Sequence, residues 1–302
     1  MDRVKLLVFH DERFIPKKWL YHGFVFCEPE RFPMLKHELL QARADAGCSQ
    51  NKRIHFSSLS SYGASSSRTR TAIRWARLFK EKLYENIWFY LFGVNIGKID
   101  YQFFGPLTNG QHRDYRIYNR FFEIGLFSAC RYLFDTAKEE VEILKIFSEE
   151  RSLQENDPFL GYAPYRINRR ASNIAAKCKK IIFVAGDPLR ENDNPECVEI
   201  VNFVDTIIGA FSEVIDRTGN QHGCLEVAQE LFPVCQKLSE NPYNINSRYY
   251  KRYAMSFFPR SEQRYSQLIQ YGIKPPNKQF YPSRALRLYQ PKCLLGFEKL
   301  IT

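Results

Sequence analysis

Histidine is limited to six dispersed residues in a chain of 302, which argues against a His-rich metal cage. The eight cysteines (27, 48, 130, 178, 197, 224, 235 and 293) include no C-x-x-C pair and have no closely spaced histidine partners. That excludes the usual zinc signatures, and at this length the cysteines imply no disulfide framework. They read as small buried apolar residues. No run reaches the roughly eighteen apolar residues of a membrane helix, since "IWFYLFGVNIG" is broken by Gly93 and Asn95. Asp2 and Arg3 open the chain with no long apolar stretch behind them, so a soluble cytoplasmic protein without a secretory signal is expected. "GVNIG" and "GPLTNG" match neither a phosphate-binding loop nor a dinucleotide fingerprint. No Ser lies in a G-x-S-x-G elbow, and no internal repeat is present.

What remains is a chain rich in core-forming residues, 44% apolar and 15% aromatic. Strand-like and helix-like segments alternate along it. Strands are expected at residues 4–9, at "WLYHGFVFC" (19–27), at the short "RIHFSSL", at "IWFYLFGVNI" and at "KKIIFVAGDP". Helices are expected from Pro33 towards Gly47, over "RTRTAIRWARLFKEKLYEN", over "RDYRIYNRFFEIGLFSACRYLF" and over "PECVEIVNFVDTIIGAFSEVID". The Ser-rich residues 57–67 read as a loop, and "DPFLGYAPYRINRRASNIAAKC" as an irregular lead followed by a helix. "EEVEILKIFSEE" has helical composition, but an alternating α/β pattern needs a strand there, and a strand is the reading adopted. The expected architecture is one α/β domain over 1–240 and a basic, aromatic-rich C-terminal extension over 241–302.

Three groups of acids stand out. Asp11 and Glu12 follow the first apolar run, and Glu149 or Glu150 follows the strand expected near 141–147. Asp205 interrupts the apolar helix "VNFVDTIIGAF". A carboxylate there is either at a polar helix edge or buried with a partner, because an uncompensated buried charge is costly. Acids at strand ends can converge on one sheet edge, where open α/β folds place their sites. Carboxylates from several elements could hold Mg²⁺ or Mn²⁺, and paired ions clamp both oxygens of a phosphodiester displacement. Asp11, Glu149 and Asp205 are the candidate metal ligands, with Glu12 as a further ligand or base. His10 beside Asp11 could orient it, or could simply pack.

The order of these acids resembles the domain-of-unknown-function 3800 family. "VFHDERF…WLYHGFVF" is similar to the family's opening strand, which ends in an Asp-Glu-Ser-Gly-like motif. "VNFVDTIIGAF" is similar to its late Gln-Leu-Ala-Asp-Leu-x-Ala-Gly helix, with Asn202 at the Gln, Asp205 at the Asp and Gly209 at the Gly. "KRIHFSSL" resembles its short His-containing strand, with His55 at the His. The resemblance spans about 1–215 and implies an RNase H-like fold, a mixed sheet flanked by helices, with a divalent-metal carboxylate site. Arg13 and Phe14 depart from the family's Ser and Gly, which leaves a degenerate site open.

Charge suggests a partner. The formal net charge is +11, and residues 246–302 hold eleven Lys or Arg against two acids, so they carry +9 of it. Such asymmetry suits a polyanion. Tyr and Phe interleave with the cations there, as in surfaces that stack bases while following phosphates. Arg248, Lys251, Arg252, Arg260 and Arg264 are the candidate nucleic-acid contacts, with Lys98 after the buried strand as another. A basic segment packed on the domain, or used as a protein interface, is the alternative. The expected activity is a metal-dependent phosphodiesterase acting on DNA or RNA. Its rival is a binding or regulatory protein, or a subunit of an assembly, on the same fold.

Overall fold

The structure is a computed structural model that describes residues 2–99, 110–150, 160–216, 222–240 and 244–258. Seven strands form one mixed sheet: β1 Asp2–Ile15, β2 Trp19–Cys27, β3 Trp88–Asn95, β4 Glu139–Glu149, β5 Ile174–Ala176, β6 Ile182–Val184 and β7 Tyr253–Phe258. Their order is β5-β4-β1-β2-β3-β7, with β6 pairing the C-terminal part of β4. β1, β2 and β3 run antiparallel to one another in turn, whereas β4 is parallel to β1 and β7 is parallel to β3. The helices are α1 Phe32–Asp45, α2 Leu59–Tyr62, α3 Ser67–Glu81, α4 Gly110–Leu133, α5 Tyr162–Arg170, α6 Val198–Ile215 and α7 His222–Glu240.

Both sheet faces are covered. Phe9, Tyr21, Val25, Phe89 and Leu91 pack under α1, α3, α6 and α7; Leu6, Val8, Phe24, Phe26 and Tyr90 pack under α4 and α5. That explains why every residue of β2 is buried: a central strand covered on both sides reads as an unbroken apolar run. Every residue of α6 is buried as well, as expected of a helix apolar around its whole circumference. No helix among the described residues is long and apolar enough to cross a membrane.

Several elements differ from the sequence reading. β1 does not stop at residue 9. Its hairpin with β2, closed at Ile15↔Trp19 through a turn with Lys17 at φ 60°, carries it to Ile15 and places Asp11 and Glu12 inside the strand. "RIHFSSL" is not a strand: Phe56–Ser58 is a 3₁₀ turn and α2 follows, so part of the expected Ser-rich loop is helical. The Phe56 N–H that a ladder would use is donated instead to the Asp205 carboxylate, at 2.6 Å. The helix expected through "ASNIAAKC" ends at Arg170. The Asn168 side chain brackets Ala176, accepting from its N–H at 2.6 Å and donating to its C=O at 2.9 Å, which holds β5 beside β4. The first part of the expected C-terminal extension belongs to the sheet, because β7 pairs with β3 from Phe89↔Tyr253 to Val94↔Phe258.

A candidate site of clustered carboxylates

Strand alternation decides where each acid points. On β1, His10 faces α4 and Asp11 faces α6. β4 stays paired to β1 as far as His10↔Ser148, and Glu149 is its last residue. Ser148 Oγ lies 2.9 Å from His10 Nδ1 on the α4 side, which leaves Glu149 beside Asp11 on the α6 side. The helix approaches closely at this level. Gly23 is the register partner of Asp11, and a Cβ there would overlap the Ile208 side chain. Ile208 is one turn beyond Asp205, so this contact lowers Asp205 towards the two strand acids.

All three carboxylates are buried, Asp11 with 4% of its surface exposed, Asp205 with 6% and Glu149 with 7%. Asp11 Oδ1 accepts the Glu12 N–H at 2.8 Å. Asp205 Oδ2 takes the Phe56 N–H, and its Oδ1 stands 3.9 Å from His55 Nε2. His55 Nδ1 in turn lies 2.8 Å from Ser57 Oγ. Glu149 pairs with Arg53, whose side chain is 40% exposed. Gly186 makes room for that pair, because a Cβ there would overlap the Glu149 carboxylate and sit 3.2 Å from the Arg53 guanidinium. Asn202 donates to the Gly186 carbonyl at 3.0 Å and holds the loop down. Gly209 lies so close to the Phe56 ring that a Cβ would overlap it. Asn202, Asp205 and Gly209 thus share one helix face, and each fixes part of the site's wall.

The acids repel. Burial pushes the Asp11 carboxyl well above its usual range, with Glu149, Asp205 and Glu12 adding to the shift. Glu149 is pushed up to about 7 by burial and by Asp205, against the opposing Arg53. An acid that holds its proton more tightly when folded stabilises the fold at low pH and loses that contribution as the pH rises. For Glu149 the window runs from about 4.5 to about 7. The melting temperature is therefore expected to fall between pH 5 and pH 8, and to fall less in Glu149→Gln. Equal falls in the two proteins would show that this carboxylate is not under strain.

Oxygen donors from two strands and a helix are the chemistry of a hard divalent cation. Their positions are divided, however. Glu149 is turned to Arg53 and Asp205 to Phe56, and among the described residues no three His, Cys, Asp or Glu side chains are gathered to hold a metal ion. By charge, burial and hardness these are donors of the kind such an ion takes, but as placed they are not gathered into a site for one.

The structure separates the other residues singled out in the sequence. Glu12 points to the α4 face and accepts from the Tyr118 hydroxyl at 2.9 Å, so it contributes charge to the cluster from across the strand. Glu150 bonds Arg190 at 2.6 Å, and Glu149 is the acid that joins Asp11. His10 is fully buried between Ser148 and His22, whose Nδ1 is 3.1 Å from its Nε2, and it packs rather than orienting Asp11. The Arg248 guanidinium lies over Tyr84 and Tyr249, and that of Arg252 lies 4.6 Å from the Trp88 ring centroid, so both lean on the domain at the entrance to β7. Lys251 sits in the same turn with φ 53°. Lys98 ends the 3₁₀ turn after β3, and its side chain lies outside the described residues, as do Arg260 and Arg264. Arg53, Phe56 and Gly186 also belong to the site, and no local sequence signal marks them. In "KRIHF" the histidine is the residue that stands out, whereas the arginine meets its partner 96 positions away. Comparison with protein-family models finds no match for the chain, and comparison with curated proteins finds none either.

Proposed function

We propose that this chain is an RNase H-like protein, akin to the domain-of-unknown-function 3800 family, that cleaves nucleic-acid phosphodiesters with Mg²⁺ or Mn²⁺. The strand order supports the fold reading: an antiparallel β1–β2–β3 meander with β4 and then β5 added parallel on the β1 side. One observation carries the functional reading. Three buried carboxylates from β1, β4 and α6 face one another, and burial together with the neighbouring acids raises the proton affinity of Asp11 and Glu149, with Arg53 set against Glu149. Such an arrangement costs stability, and cost of that kind concentrates at functional sites. Asp11, Glu149 and Asp205 would hold the ion, which would supply Lewis-acid polarisation of the phosphate and activation of a water. The chain's own work is positional: Phe56 N–H and Gly186 fix the carboxylates, and His55 and Ser57 line the approach to Asp205.

The test is incubation of the protein with labelled single- and double-stranded DNA and RNA in Mn²⁺. Cleavage is expected, and it should disappear in the Asp11→Ala, Asp205→Ala double variant. Cleavage that survives both substitutions would sink the assignment.

A second reading is a nucleic-acid-binding protein that kept the fold and lost the chemistry. The Arg53–Glu149 pair favours it, because it puts a guanidinium where a cation would be drawn. A rise in melting temperature with nucleic acid and none with Mn²⁺ or Mg²⁺ would decide for this alternative.

A further inference from the structure

Helix α5 and the β5–β6 connection form a surface that the carboxylate site does not use. Residues 160–186 contain six Lys or Arg and no acid. Two of the six are engaged with carboxylates, Arg170 with buried Glu123 at 2.9 Å and Lys177 with Glu142 at 3.1 Å. Arg166, Arg169, Lys179 and Lys180 have no carboxylate partner among the described residues, and Arg169, Lys179 and Lys180 are exposed. Aromatic rings stand among these cations. Ala163, Pro164 and Ile167 bury one side of α5, and Tyr162, Tyr165, Arg166 and Arg169 follow the i, i+3, i+4, i+7 spacing of the other. Tyr165 is 56% exposed, unusually open for a large aromatic residue, and Arg169 steadies it by donating to its hydroxyl at 2.6 Å.

We propose that this surface binds single-stranded nucleic acid, with a base stacking on Tyr165 and phosphates following Arg166, Arg169, Lys179 and Lys180. The inference rests on the nucleic-acid reading above and names where the strand lies. Cations alone would suit any polyanion; a ring held outward among them suits one that carries flat bases. The position is also apt. Lys180 precedes β6, whose Val184 is the register partner of Glu149, so four residues of nearly extended chain, roughly 13 Å, separate the basic loop from the acid cluster.

The experiment measures fluorescence anisotropy of labelled oligo(dT) and oligo(U) on the full chain, without divalent cations and over a range of salt. Tyr165→Ala is expected to weaken binding about tenfold with the salt dependence unchanged. The variant carrying Arg166→Gln, Arg169→Gln, Lys179→Gln and Lys180→Gln is expected to reduce the slope of log K against log salt by about 3, near 0.7 for each lost phosphate contact. Should that variant melt early, Lys179→Gln with Lys180→Gln, confined to the loop, serves instead and is expected to lower the slope by about 1.4. Wild-type binding that survives these variants with affinity and slope intact overturns the surface and leaves the nucleic-acid reading standing. Absence of any oligonucleotide binding by the wild type overturns both. A polyglutamate chain that competes as well as the oligonucleotide overturns the choice of partner, since it offers charge without bases.

Discussion

Arg43→Ala should lower the unfolding free energy by about 3–5 kcal/mol, the usual consequence of leaving one member of a buried ion pair behind. Arg43 is 1% exposed and meets Glu199 of α6 through two parallel hydrogen bonds, at 2.6 and 2.7 Å. Its remaining nitrogen donates to the Ser49 and Lys52 carbonyls, at 3.1 and 2.8 Å. The guanidinium therefore ties α1, α6 and the segment leading to Arg53 together. Alanine would strand Glu199, whose carboxyl burial already pushes upward against the pull of Arg43. Urea denaturation measures the loss. Pairing Arg43→Met with Glu199→Leu should recover much of it, because an apolar pair removes the stranded charge. A cost below about 1 kcal/mol for Arg43→Ala would contradict a net role for the pair, being no more than an exposed one is worth.

Asp11→Asn should separate stability from activity. It removes a buried ionisable group that burial and neighbouring acids already disfavour in its charged form, and keeps the oxygen that accepts the Glu12 N–H. The melting temperature is expected to rise by about 2–4 °C, the response of a chain of this size to about 1 kcal/mol. Metal-dependent cleavage is expected to fall by at least about a hundredfold, since groups that merely support metal ligands already cost 10–100-fold when changed. Gain in one property with loss in the other is the mark of residues kept for function at the expense of the fold. A lower melting temperature would mean that Asp11 is a structural acid.

Much of this arrangement was legible because it is written in local pattern. "WLYHGFVFC" is a strand because a doubly covered strand needs nine consecutive buried positions. Asp205 announced itself as a charge within an apolar helix, and the alternating α/β logic correctly made "EEVEILKIFSEE" a strand against its helical composition. What was not legible depends on partners far along the chain. The second half of β1 exists through its hairpin with β2, so its acids looked like an exit from the strand. "RIHFSSL" has the composition of a strand, but Asp205 claims the Phe56 amide from 149 residues away. Arg53 and Glu149 meet only after β4 and the loop before α3 are placed. The split between Asp11 and Glu12 follows from the same extension of β1, because neighbouring residues in a strand face opposite ways.

The place of β1 in the strand order has a mechanical consequence. Between Leu7 and His10 the strand is hydrogen-bonded on both sides, to β2 and to β4, at the middle of the sheet. Structure of that kind opens only when the whole molecule unfolds, whereas peripheral segments open at far smaller cost. The floor beneath Asp11 is thus as stiff as the protein itself. Residues 53–62, by contrast, lie outside the sheet and are held to the acids by the Arg53–Glu149 pair and the Phe56 amide.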